Sequence, residues 1–288
     1  MNLHTCFNPY FHQPACLFSY LIVCIFSSPL SADELEFPPL SYFYISAGND
    51  NNNNRNIQLQ LNIELEKHQQ ISAGLGKFLS DDAELDTTQK FIGIATNPYD
   101  SYSLGANYNI WGKTNALETK TIDIELFMNF EQWGISINPQ VHKATFYNTD
   151  DSKKIDAFSK AISFASTYYG YKNYFIGLNY YINQYNDSFV LNDQKLTQIS
   201  TIAQLLMSSL EKQRLGLILG HFFSWGSLEV NLTQSKASFL EGKTNTISFI
   251  ADYQLTNQLN LNLITTRQTS SIDDDSLHAI DIGIGFNW

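Results

Sequence analysis

The sequence predicts an all-β fold: a transmembrane, antiparallel up-and-down β-barrel of about fourteen strands, within a range of roughly twelve to sixteen. Three observations carry this. Apolar and polar residues alternate with period two in segment after segment, as in strands with one apolar and one polar face. The connections alternate between short turns and longer polar loops. Beyond the N-terminal segment no apolar run approaches the ~18 residues of a membrane helix, and only helices and closed barrels satisfy every backbone group in lipid.

The chain opens with an apolar run, Ala15 to Phe26, of about a dozen residues, the length of a signal-peptide core and too short for a spanning helix. Small and helix-breaking residues follow, so residues 1–32 are expected to be a leader cleaved after Ala32, with the barrel at 33–288. Leu30 is a less usual residue at its position before the cut, and the stretch before the apolar run has no Lys or Arg, so an uncleaved anchor is the alternative. All 3 cysteines, Cys6, Cys16 and Cys24, fall in this leader, which excludes a disulfide framework and thiolate metal sites from the mature chain.

The strands follow in order. Leu40–Gly48 is the first. The second sets Ile57, Leu59, Leu61, Ile63 and Leu65 against Gln58, Gln60, Asn62 and Glu64. A third runs over Gln70–Leu79 and a short fourth over Lys90–Thr96. Tyr102, Leu104, Ala106, Tyr108 and Ile110 form the apolar face of a fifth. The sixth sets Ile122, Ile124, Leu126, Met128 and Phe130 against Asp123 and Glu125. The seventh has Trp133, Ile135, Ile137 and Val141, with Pro139 interrupting, and the eighth covers Phe158–Tyr169. Tyr174, Ile176, Leu178, Tyr180 and Ile182 mark the ninth, and Leu215–Phe223 the tenth. The last four centre on Val230, Phe249, Leu261 and Ile282. Longer loops are expected at 49–56, 80–89, 112–120, 148–156, 235–243 and 269–277. Thr197 to Leu210 has a helical spacing of leucines and isoleucines and is placed in the loop after the ninth strand. Packing at the barrel rim is expected of it, with a constriction folded toward the lumen as the alternative.

The terminal strand, HAIDIGIGFNW, is the most specific segment. Ile280, Ile282, Ile284, Phe286 and Trp288 share one face, and Trp288 ends the chain. This resembles the closing strand of Gram-negative outer-membrane β-barrels, whose terminal aromatic is read by the barrel-assembly machinery. The resemblance spans leader, strand rhythm, loop asymmetry and C-terminus, and is to a porin-like class without a family motif. It implies short turns on the periplasmic side, long loops outside, an even strand count, and outer-membrane lipid and lipopolysaccharide as surroundings. Tyr99, Tyr102, Phe130, Trp133, Tyr168, Tyr169, Tyr174, Phe222, Phe223, Trp225, Tyr253 and Trp288 sit beside the short turns and are expected to form an interfacial girdle.

The net charge of −11 excludes a nucleic-acid binder. In this register Gln58, Gln60, Asn62, Glu64, Asp123, Glu125, Asn138, Gln140, Asn179, Glu229, Asn231, Asp252, Asn260, Asn262 and Asp281 point inward as pore-lining candidates. An amide-rich, acidic lumen favours cations and small polar solutes, so a passive channel with mild cation preference is expected. The alternatives are a structural or surface-binding barrel acting through its loops, and a barrel hydrolase. Asp275-Ser276-Leu277-His278 carries hydrolase residue types but is expected to be a solvated loop. His142 is expected inward, and His221 on the face of Leu215, Leu217 and Leu219. No catalytic site, metal or cofactor is expected.

Overall fold

A computed structural model describes residues 41–65, 69–81, 85–96, 101–130, 132–147, 154–170, 173–186, 206, 210–238, 242–271 and 276–288. The expected leader, Tyr99 and Asp275 lie outside them. The strands are β1 (Tyr42–Asp50), β2 (Arg55–Glu64), β3 (Gln70–Leu79), β4 (Thr87–Ala95), β5 (Tyr102–Lys113), β6 (Leu117–Phe130), β7 (Trp133–Tyr147), β8 (Lys154–Tyr169), β9 (Tyr174–Tyr185), β10 (Glu211–Phe223), β11 (Gly226–Ala237), β12 (Lys243–Gln254), β13 (Leu259–Ser270) and β14 (Ser276–Asn287).

Each strand pairs antiparallel with its sequence neighbours, and β14 pairs with β1 to close the barrel. The seam runs from Tyr42↔Asn287 to Asp50↔Ala279. Closure leaves no strand edge unpaired, the condition for crossing lipid with strands. Burial alternates along the strands, as in β2, where Ile57, Leu59, Leu61 and Ile63 are exposed and Gln58, Gln60 and Asn62 are buried. In the middle of the strands the exposed positions are largely apolar, Ile92, Ile124, Leu178 and Ile282 among them, which in water would be untenable and in lipid is the stable arrangement.

Three sequence expectations are corrected. Residues 112–120 are not a long loop: β5 runs to Lys113 and β6 starts at Leu117, with the tight turn between them held by Asn115 at φ 67°. Asn is among the few residues that take this left-handed conformation readily. Pro139 does not break β7; the strand continues through it. Proline lacks a ladder donor, and the pairing with β6 is interrupted between Asp123↔Gln140 and Leu126↔Ile137 without a change of register, while the pairing with β8 is continuous. Finally, β8 begins at Lys154, four residues earlier than its apolar pattern, because its first turns rise above the apolar belt where period-two hydrophobicity is no longer required.

Candidate functional site

The interior is built from the inward half of each strand. The register places Gln58, Gln60, Asn62, Glu64, Asp123, Glu125, Asn138, Gln140, Asn179, Glu229, Asn231, Asp252, Asn260, Asn262 and Asp281 on the inner face. Most are tightly enclosed: Gln58 is 7% exposed, Asp123 3%, Glu125 2% and Asp281 4%. Inner side chains therefore pack on one another and leave a narrow interior.

They form connected polar clusters. On β5–β7, Asn107 Nδ2 and Asn138 Nδ2 donate to Asp123 Oδ1 at 2.9 and 3.1 Å, and Gln140 Nε2 donates to Asn138 Oδ1 at 2.6 Å. Glu125 sits beside this cluster, and neither of its oxygens accepts a hydrogen bond from the described residues. At the seam, Asn56 Nδ2 donates to Asp281 Oδ1 at 2.7 Å. On β11–β13, Asn231 Nδ2 donates to Glu229 Oε1 at 2.7 Å, and Asn262 Nδ2 to Asp252 Oδ1 at 2.6 Å. His142 is buried inward, with Nδ1 2.8 Å from Thr121 Oγ1 and Nε2 3.4 Å from Tyr181 Oη. Above it Arg214 points inward, paired with Glu211 at 3.4 Å and lying over the Tyr181 ring.

Aromatic rings fill the remaining inner space, and glycines on neighbouring strands make room for them. Tyr44 lies against Gly283, and Phe175 against Gly220, so closely that a Cβ at either glycine would clash with the ring. Phe222 and Tyr169, expected in the girdle, instead face inward and pack with Phe175. The parity of their strands decides this: each is one residue out of step with an outward aromatic, Phe223 or Tyr168. The outward girdle itself pairs Trp133 with Tyr168 at 4.9 Å, Phe223 with Trp225 at 4.9 Å, and Trp225 with Tyr253 at 5.6 Å.

At the extracellular end an apolar cluster closes part of the mouth. Trp111, Leu117, Ala144, Phe146 and Ala157 from the inner faces of β5–β8 pack with Leu206 and Leu210. These two leucines are the described members of the helically spaced segment, and Leu206 is helical. They lie inside the mouth, the position of the constriction, rather than on the outer rim. The rest of that segment, 197–205 and 207–209, lies outside the described residues, as do parts of the loops on which a surface-binding role would rest.

Ser276 and His278 fall on the outward face of β14 near the extracellular end, with Ser276 Oγ 3.0 Å from His278 Nε2. Both are in β14 and not in a loop. Among the described residues no carboxylate hydrogen-bonds the other ring nitrogen, and the His278 backbone is held by Asn51 Oδ1 at 2.8 Å. His221 faces outward between Tyr174 and Phe223, with both ring centroids at 4.3 Å.

Reading the inner face alone overlooked the basic residues. Arg55, Lys77, Lys90, Lys120, Lys143, Lys160, Lys236, Lys243 and Arg267 all face outward in the extracellular half of their strands. The signal was legible: each shares the parity of its strand's apolar face and lies at or near that face's outer end, as Lys160 does with Phe158 beyond it.

Several solved barrels resemble the structure. The NanC porin matches at 8% identity over 85% of this chain and 100% of that one, with TM-score 0.48. A loop-deleted OmpT, an outer-membrane protein of Vibrio cholerae, matches at 8% identity over 86% and 98%, with TM-score 0.49. CdiB from Acinetobacter baumannii matches at 13% identity over 88% of this chain and 61% of that one, with TM-score 0.50. No family model and no curated protein matches the chain. At such identities the likeness is one of fold, and it agrees with the closed register of the chain: a fourteen-stranded antiparallel β-barrel with an apolar outer face.

Proposed function

We propose that the protein is an outer-membrane channel for passive passage of ions and small polar solutes, with a preference for cations. The observation that carries this reading is the separation of charge by face. Asp123, Glu125, Glu229, Asp252 and Asp281 point inward, the inward Arg214 is paired with Glu211, and Lys77, Lys90, Lys120, Lys143, Lys160, Lys236 and Lys243 point outward. A cleft of one sign inside low-dielectric walls concentrates counter-ions, and carboxylate rings favour cations. Acceptors without a donor among the described residues, such as Glu125 Oε1 and Oε2, Gln140 Oε1 and Asn262 Oδ1, are suited to replace part of a cation's water shell. The tight enclosure of the inner side chains favours ions over bulky solutes. The same reading includes export by the leader, insertion by the assembly machinery through Ile280, Ile282, Ile284, Phe286 and Trp288, and residence among phospholipid and lipopolysaccharide.

The test is single-channel recording of the refolded protein in planar bilayers under a KCl gradient. Small conductance steps with a reversal potential of cationic sign are expected. Absence of conductance, or an anionic sign, overturns the reading.

A further inference from the structure

The outer wall places two pairs of lysines directly opposite one another: Lys120↔Lys143 across β6–β7, and Lys236↔Lys243 across β11–β12. Side chains in such positions have Cβ atoms about 4.5–5.5 Å apart, and like charges there repel. The fold neutralises the first pair itself. Lys120 Nζ lies 3.0 Å from Glu118 and Lys143 Nζ 2.8 Å from Asp156. The second pair has no carboxylate at ion-pair distance among the described residues, and both lysines are exposed. Exposed Lys212 stands at the adjacent bulge of β10, where the register shifts just before Gln213↔Lys236.

What lies beneath the second pair differs in kind. One rung toward the membrane, Gln234 Nε2 donates to Asn245 Oδ1 at 2.9 Å. That bond uses one polar group of each exposed amide and leaves the other facing outward. The next rung is apolar, Leu232↔Ile247, and then Val230↔Phe249. From there a hollow of about 690 Å³ in the outer wall runs down past Val230, Phe249 and Leu263 to Tyr174, His221 and Phe223 beside the short turns. Read downward, the wall of β10–β13 presents cationic groups, neutral hydrogen-bonding groups, and an apolar seat.

We propose that this wall binds a phosphorylated glycolipid of the outer leaflet. A phosphate sits between Lys236 and Lys243, sugar hydroxyls meet Gln234 and Asn245, and acyl chains lie on Leu232 and Ile247 toward the hollow. A charged phosphate relieves the lysine repulsion, and the amides match a saccharide rather than a glycerol head group. The inference rests on residence in the outer membrane and is independent of whether the barrel conducts.

The full chain is refolded in neutral detergent and titrated with diphosphoryl lipid A, dephosphorylated lipid A and phosphatidylglycerol, with adducts counted by native mass spectrometry. Expected are a single retained lipid A, at least tenfold weaker binding of the other two lipids, and at least tenfold weaker lipid A binding by Lys236→Glu/Lys243→Glu. Lys120→Glu/Lys143→Glu, an equal change of charge, stays within twofold of wild type. Equal losses in both double variants, undiminished binding of dephosphorylated lipid A, or equal binding of phosphatidylglycerol each overturn the site. Folding of every variant is checked by heat-shifted gel migration, and Lys236→Gln/Lys243→Gln replaces the reversal variant if that one does not fold. Loss of conduction leaves these outcomes unchanged.

Discussion

Gly283 shows how a single residue fixes the interior. It faces inward on β14, and the Tyr44 ring of β1 occupies the space its side chain would take. Gly283→Val is expected to push that ring aside and destabilise the seam by about 1–3 kcal/mol, the usual cost of overpacking. The measurement is the urea midpoint of the refolded barrel, and an unchanged midpoint contradicts the packing described. Asp123→Asn with Glu229→Gln removes two inward charges without changing shape, so the reversal potential under a salt gradient is expected to move toward zero. Facing direction was legible for such residues because it follows from parity alone. Their partners were not: Asn56 and Asp281 are 225 residues apart in sequence, and their meeting depends on the register of the seam, which no local pattern encodes. Phe222 and Tyr169 face inward because parity, and not aromatic character, sets the direction of a strand residue.

Elements were legible where lipid imposes the pattern and less so where it does not. The apolar faces of β2 and β6 gave their strands plainly. The outer turns of β8 and the β5–β6 hairpin stand above the belt, where polar residues on both faces read as loop. The segment ending at Leu210 was ambiguous because its leucines satisfy a helical spacing and an alternating one. Its described leucines contribute to the apolar cluster inside the mouth. Leu206→Asp with Leu210→Asp is expected to dissolve that contact and raise single-channel conductance, as charged groups are driven from an apolar cluster. Unchanged conductance would show that the passage lies elsewhere.

For the molecule as a whole, closure is the decisive property. A barrel with no free edge resists unfolding, so the purified protein is expected to migrate faster on gels before boiling than after. A soluble sandwich would show no such shift. Deleting Trp288 is expected to lower the amount of heat-shifted protein recovered from outer membranes while the refolded barrel still forms in detergent, which separates delivery from stability. The seam that joins Tyr42 to Asn287 carries one more consequence. One edge of β1 pairs with β2 and the other only with β14, so a chain lacking β14 leaves β1 and β13 each with an open edge. Such edges are templates for pairing with other chains, so variants that lack β14 are expected to aggregate where the closed barrel does not.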